Sequence, residues 1–184
     1  MDVDSLGIVE VTSIASGVEL ADAMVKAASV ELLRAATLCS GRFLIYVAGD
    51  REAVETSVRL ARGSGRKLAG SFVISHISPL LIAALKRSEP SLPGEALGVV
   101  ESRVVSAGLD AADKAVKRSE VRLLKFVSGQ GIAGKAFFVL GGDVAAVREA
   151  VNAAEEALGS RLVEAVVIPH PAASLAAALT GLVR

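Results

Sequence analysis

Leu6-Gly7-Ile8-Val9-Glu10 returns 91 residues later as Leu97-Gly98-Val99-Val100-Glu101, and reading these as one stretch used twice decides the fold. The same offset of 91 pairs Gly17 with Gly108, Asp22 with Asp113, Lys26 with Lys117, Val30 with Val121 and Leu32-Leu33 with Leu123-Leu124. Gly49-Asp50 matches Gly142-Asp143 at 93, so the second copy gains two residues between Leu33 and Gly49. Ile74 and His76 match Ile168 and His170 at 94. Colinear matches with a slowly drifting offset mark a duplicated unit, here of about 90 residues. The copies are expected at residues 1–88 and 96–184, joined by a linker over 89–95 whose Pro90, Pro93 and Gly94 punctuate the chain.

Within a copy the periods alternate. Leu6 to Thr12 is short and β-branched, which predicts a strand. Between Gly17 and Ala28, the residues Ala21, Met24, Val25 and Ala28 share one face of a helix. Val30 to Leu38 and Arg42 to Ala48 read as strands around the turn Cys39-Ser40-Gly41. Asp50 is a candidate N-cap for a helix striped by Val54, Ser57, Val58 and Ala61. Lys67 to Ile77 reads as a fourth strand, and Pro79 to Lys86 as a short closing helix. The order β-α-β-β-α-β-α, used twice, predicts an α+β protein with helices on one face of each sheet.

The 184 residues are 52% hydrophobic with 17 Gly, which excludes intrinsic disorder. Twenty basic residues balance 20 acidic ones, and aromatics are 3%, so neither a basic face nor stacking rings for nucleic acid are expected. No apolar run approaches the roughly 20 residues that span a bilayer, and with Asp2 and Asp4 and no nearby base no signal peptide is expected. One cysteine forbids an intrachain disulfide, which makes a cytosolic setting the default. The apolar surplus points to self-association.

No catalytic set emerges, and the expectation is a non-enzyme. His76 and His170 occupy equivalent positions, which favours strand-end packing or an interface hydrogen bond over catalysis. Glu10 and Glu101 sit inside apolar strands, where pairing with a base at a subunit edge is expected. Lys26 and Lys117 lie in the last turns of their helices, to complement the helix dipole or to reach a neighbouring subunit. The Gly-rich stretch Ser128 to Lys135 lacks a Gly-Lys-Ser/Thr ending and leads into a strand, so it is no phosphate loop.

Leu6 to Glu10, Ala21-Asp22-Ala23-Met24-Val25-Lys26-Ala27-Ala28, Gly49-Asp50 and Val167-Ile168-Pro169 resemble the bacterial microcompartment (BMC) shell proteins. Two copies in one chain resemble the tandem-domain subclass. The resemblance implies a pseudohexameric homotrimer that tiles with other BMC shell proteins into an organelle shell within the cytoplasm, around encapsulated enzymes. It implies that the turns between second and third strands line a central pore, here Cys39, Ser40 and Gly41 with Gln130, Gly131 and Ile132. It assigns Lys26, Lys117, His76 and His170 to the subunit or tile edge, the histidines standing where the family often has arginine.

Cys39 stands opposite Gln130 in the repeat, so the chain carries one turn thiol. A free cysteine is ordinarily a small buried hydrophobe, but a turn is not where burial is expected. Thr37-Leu38-Cys39-Ser40-Gly41-Arg42-Phe43 resembles the Thr-Ile-Cys-Pro-Gly-Lys-Phe turn of the propanediol-utilisation type, whose cysteine binds a 4Fe–4S cluster at the pore. The resemblance thus implies one cluster per trimer, held by Cys39 of three chains, for electron transfer across the shell. The alternative is a cluster-free pore for small polar metabolites. A regulatory binder of small molecules is the third reading, and no nucleotide site supports it.

Overall fold

The computed structural model describes residues 4–85, 94–129 and 131–180. The first copy runs β1 (Ser5–Val11), α1 (Ile14–Ala27), β2 (Glu31–Thr37), β3 (Phe43–Gly49), α2 (Arg51–Gly63), β4 (Leu68–Ser75) and α3 (Pro79–Leu85). The second runs β5 (Ala96–Ser102), α4 (Val105–Arg118), β6 (Arg122–Ser128), β7 (Ala136–Gly142), α5 (Val144–Leu158), a 3-10 turn (Gly159–Arg161), β8 (Leu162–Pro169) and α6 (Ala173–Thr180). The expected order holds in both copies. Residues 89–93 of the expected linker lie outside the described residues.

Each copy folds one antiparallel four-stranded sheet, ordered β2-β3-β1-β4 and β6-β7-β5-β8. The register repeats as well. Ile8 pairs with Tyr46 and Phe72, and its counterpart Val99 pairs with Val139 and Val166. Both central strands shift register at the same point, after Glu10 and after Glu101. Helix α1 begins three residues before the expected Gly17, because the Ser13 hydroxyl accepts the Ser16 amide and starts the helix there. Asp50 occupies the N-cap of α2 through its backbone, its carbonyl accepting the Val54 amide.

Alternation along the strands sorts the core. Val9, Val11, Phe43, Ile45 and Val47 meet Leu20, Met24, Val54 and Val58 of α1 and α2. Glycine permits the closest approaches: a Cβ at Gly7 would come within 2.7 Å of Val58, and one at Gly98 within 2.7 Å of Val151. On the opposite face of the second sheet, Ala176 of α6 packs with Leu97 and Val139. Helices therefore cover both faces of the second sheet, correcting the one-face expectation. The closing helix is apolar along most of its length and has a second sheet face to bury.

The copies are not beads on a string. One apolar cluster runs from Leu6, Ile8, Leu44 and Ile74 of the first copy to Val105, Leu109, Ala112 and Phe138 of the second. Helix α4 packs on β4, and α3 lies against α4 and β6. A continuous core of this kind makes the joint between copies part of the fold.

Candidate functional site

The two strand-connecting turns meet at this joint. In the first, the Leu38 amide donates to Arg42 O (2.8 Å) and the Gly41 amide to Leu38 O (3.0 Å). Gly41 has φ +77°, left-handed backbone that glycine adopts without a Cβ clash. The second turn is two residues longer, as the offset requires. Its Gly129 amide bonds Lys135 O (2.9 Å), Gly134 bonds Gly129 O (3.2 Å) and Lys135 bonds Ile132 O (3.1 Å). Buried Leu38 sits on Gly129, and Ser40 sits on Gly134, where any side chain would collide with them.

Cys39 is exposed and bridges the turns. Its thiol donates to Gly129 O (2.6 Å) and accepts the Gly131 amide (3.0 Å), so the sulfur grips the peptides that flank its repeat counterpart. Partial desolvation pushes the thiol up, but the Gly134, Ile132 and Gly131 amides and its own backbone outweigh that and hold it below the ordinary cysteine range. These amides favour the thiolate, the form that ligates metal. Among the described residues no three His, Cys, Asp or Glu side chains gather as a metal site within one chain. A cluster on Cys39 therefore needs thiols from further chains. The donor chemistry fits an iron–sulfur cluster on those terms.

Each turn is tethered at its far end by a base. Arg42 Nη1 reaches Glu10 Oε2 (3.1 Å), and its counterpart Lys135 Nζ reaches Glu101 Oε1 (2.8 Å). Both glutamates pair with a base, as expected, and both bases come from the same copy as the acid; Glu10 lies at the joint inside the chain rather than at a subunit edge. Glu10 is fully buried, and its second oxygen accepts the Ser106 amide at the start of α4 (2.5 Å). That helix has no side-chain cap of its own at Val104, so the first copy caps the second copy's helix. Arg34 Nη1 adds a bond to Ser128 Oγ (3.1 Å) and lies 6.0 Å over the Tyr46 ring. Burial holds the Tyr46 hydroxyl far above its usual range, and it stays neutral.

The site therefore unites Cys39, Ser40, Gly41, Gly131 and Ile132, while Gln130 lies outside the described residues. The remaining expected residues lie elsewhere. His76 Nδ1 sits 2.8 Å from Asp4 Oδ1, and the His170 amide donates to Glu95 O (2.7 Å). Both histidines have φ +49°, so each marks the same left-handed exit from a last strand. Lys26 bonds Asp22 on an open surface, whereas Lys117 bonds Asp113 and donates to Ser75 O of the first copy (3.2 Å). Asp113 also accepts the Ser78 amide (2.7 Å). Sequence reasoning missed the helix cap by Glu10 and the seats at Gly129 and Gly134. The one signal for the seats was glycine at two turn positions.

The BMC domain family model matches residues 5–79 and again 96–171. The chain is 39% identical over 174 residues to the bacterial microcompartment shell protein PduT of Citrobacter freundii, covering 93% of this chain and 95% of that one. It is 40% identical over 72 residues to the carboxysome shell protein CcmK2 of Synechococcus elongatus, covering 39% of this chain and 71% of that one. A crystal structure of a microcompartment protein from Desulfitobacterium hafniense superposes with TM-score 0.82 at 38% identity, over 94% of this chain and 98% of that one.

Proposed function

Since this chain belongs to the BMC domain family and is a structural shell protein of a bacterial microcompartment, we propose that three copies close a ring whose central channel is lined by the paired turns. The observation that carries the reading is the meeting of both turns at one exposed thiol. In a threefold ring each feature of the chain occurs three times at equal distance from the axis. Ser40, Gly41, Gln130, Gly131 and Ile132 would line the opening, and three Cys39 thiols would face it together.

Three thiolates suit a 4Fe–4S cluster with one open iron position. Such a cluster supplies one-electron transfer, here across the shell wall. The chain's own part is to keep Cys39 exposed and to hold its thiol low, through backbone amides that also orient the sulfur. The Gly129 carbonyl would lose its bond from the thiol proton on ligation, while the Gly131 amide keeps its acceptor. Ring and cluster agree with the resemblance of Thr37 to Phe43 to the cluster-binding turn. Like its relatives the chain has a structural role, so its partners are other shell proteins at its edges and enclosed enzymes beneath.

Iron and sulfide analysis of anaerobically purified protein tests the cluster. The expected result is about four iron and four sulfide per three chains, lost in Cys39→Ser with the oligomer retained. Iron-free protein after reconstitution contradicts the cluster and leaves a channel for small polar metabolites. That second reading has its own support, because the thiol is already satisfied on both sides within one chain.

A further inference from the structure

The joint inside the chain consists of two unlike surfaces, and the chain carries each of them a second time, open to solvent. One surface belongs to the first copy: Glu10, Gly70, Phe72 and the backbone of Ser75 and Ser78. The other belongs to the second copy: Ser106, Leu109, Asp113, Lys117 and Arg161. The repeat places Glu101, Glu164, Val166, Pro169 and Ala172 on the second copy as counterparts of the first surface. It places Ala15, Val18, Asp22, Lys26 and Lys67 on the first copy as counterparts of the second. Backbone geometry confirms the least obvious match. The Thr12 amide bonds Lys67 O (3.1 Å) as the Arg103 amide bonds Arg161 O (2.9 Å).

The counterparts are open where the originals are covered. Val105 and Leu109 are 0% exposed, while Ile14 and Val18 are 42% and 55% exposed. Val166 is 42% exposed, and its counterpart Phe72 lies 5.7 Å under Arg161. The occupant that fits both open surfaces is a second copy of this chain, because each already has its complement elsewhere in the same molecule.

The outer seam cannot duplicate the inner one. In the inner joint Gly70 lets Ser106 pack against the strand backbone, and any Cβ there would fall on the Ser106 hydroxyl. The counterpart of Gly70 is Glu164. It stands directly across the strands from Glu101, so two carboxylates share one face, where Lys135 pairs with Glu101. Like charges placed opposite on paired strands repel, and a further cation relieves them. Arg161 shows where that cation comes from: across the inner joint it lies over Phe72, one step along the same strand face from Gly70.

Building on the proposed ring, we infer that Glu164 of each chain pairs with Lys67 of the partner subunit, whose stem covers Val166. Beside it Glu101, already paired with Lys135, would face the first turn of the partner's helix α1, which Ser13 caps. A glutamate where the inner joint demands glycine makes the outer seam a charged one. It therefore distinguishes the joint between chains from the joint within a chain.

Sedimentation of the full chain over a concentration series tests this with Lys67→Glu, Glu164→Lys and the double exchange, each first checked for native circular dichroism. Both residues are exposed, so the variants are expected to fold. Each single exchange should raise the midpoint for association by about tenfold or more, since the change recurs at all three seams. The double exchange should return it to within about threefold of the unaltered chain. Unchanged association in the single variants, or a double variant weaker than either single, overturns the pair while the ring reading survives. An unaltered chain that stays monomeric overturns both.

Discussion

Helix α1 and helix α4 are one helix written twice, with the same length, the same Asp-x-x-x-Lys pair and the same glycine seated on a strand. Their surroundings differ. Asp113 is 2% exposed and caps the Ser78 amide, while Asp22 faces solvent with Lys26. Duplication thus yields two copies that are equal in fold and unequal in environment. The second copy's helix edge is finished by the first copy, and the first copy's helix edge is left for something outside the chain. The expectation that Lys26 and Lys117 play one role at one kind of edge holds only if a neighbouring chain completes the Lys26 side.

Substitutions at matched positions should expose that inequality. The largest difference is expected at the glutamates. Glu10→Ala strands Arg42 beside a buried, uncapped Ser106 amide and should cost about 3–5 kcal/mol. Glu101→Ala, at a partly exposed pair with Lys135, should cost about 1 kcal/mol or less. Urea unfolding at one fixed protein concentration measures both, because the stability of an assembly depends on concentration. Equal losses would mean that the inner joint contributes nothing special.

The matched glycines come next. A Cβ at Gly17 would meet the Phe43 side chain at its own Cβ, which no rotamer change can move aside. One at Gly108 would meet Ala136 Cβ at 2.9 Å, a milder clash. Gly17→Ala should therefore cost about 3 kcal/mol and Gly108→Ala about 1 kcal/mol, read from the same unfolding curves. For the aspartates, Asp113→Ala should cost about 2 kcal/mol by orphaning the Ser78 amide. Asp22→Ala should cost no more than about 0.5 kcal/mol in unfolding, the usual worth of an exposed helical pair.

The smallest effect concerns the turns. Cys39 should react with iodoacetamide along a pH profile whose midpoint lies below that of the same cysteine in the unfolded chain. Amide bonds favour the thiolate, so reactivity appears at lower pH and is lost as pH falls through the folded value. A midpoint at or above the unfolded value would remove the amide cradle from the account.

Much of this fold is readable in the chain, because its signals are local. The strand read over Leu6 to Thr12 and the stripe Ala21, Met24, Val25 and Ala28 report their own periods, and repeating them yields the order of elements in both halves. The turn cysteine was legible through its glycine neighbour and its missing counterpart. What the sequence hides is non-local. Glu10 meets Ser106 across 96 positions, and Cys39 meets Gly131 across 92. Those contacts depend on how two finished units dock, which neither periodicity nor capping chemistry encodes. The placement of α6 was hidden similarly, since an apolar helix does not announce which sheet face it will cover.

Native mass spectrometry of anaerobically purified protein tests the central claim most directly. Three chains of 18.8 kDa travelling as one particle, with the mass of a single iron–sulfur cluster added and lost on Cys39→Ser, is the predicted spectrum. A single chain of 18.8 kDa at micromolar concentration would contradict the ring, the shared channel and everything built on Cys39.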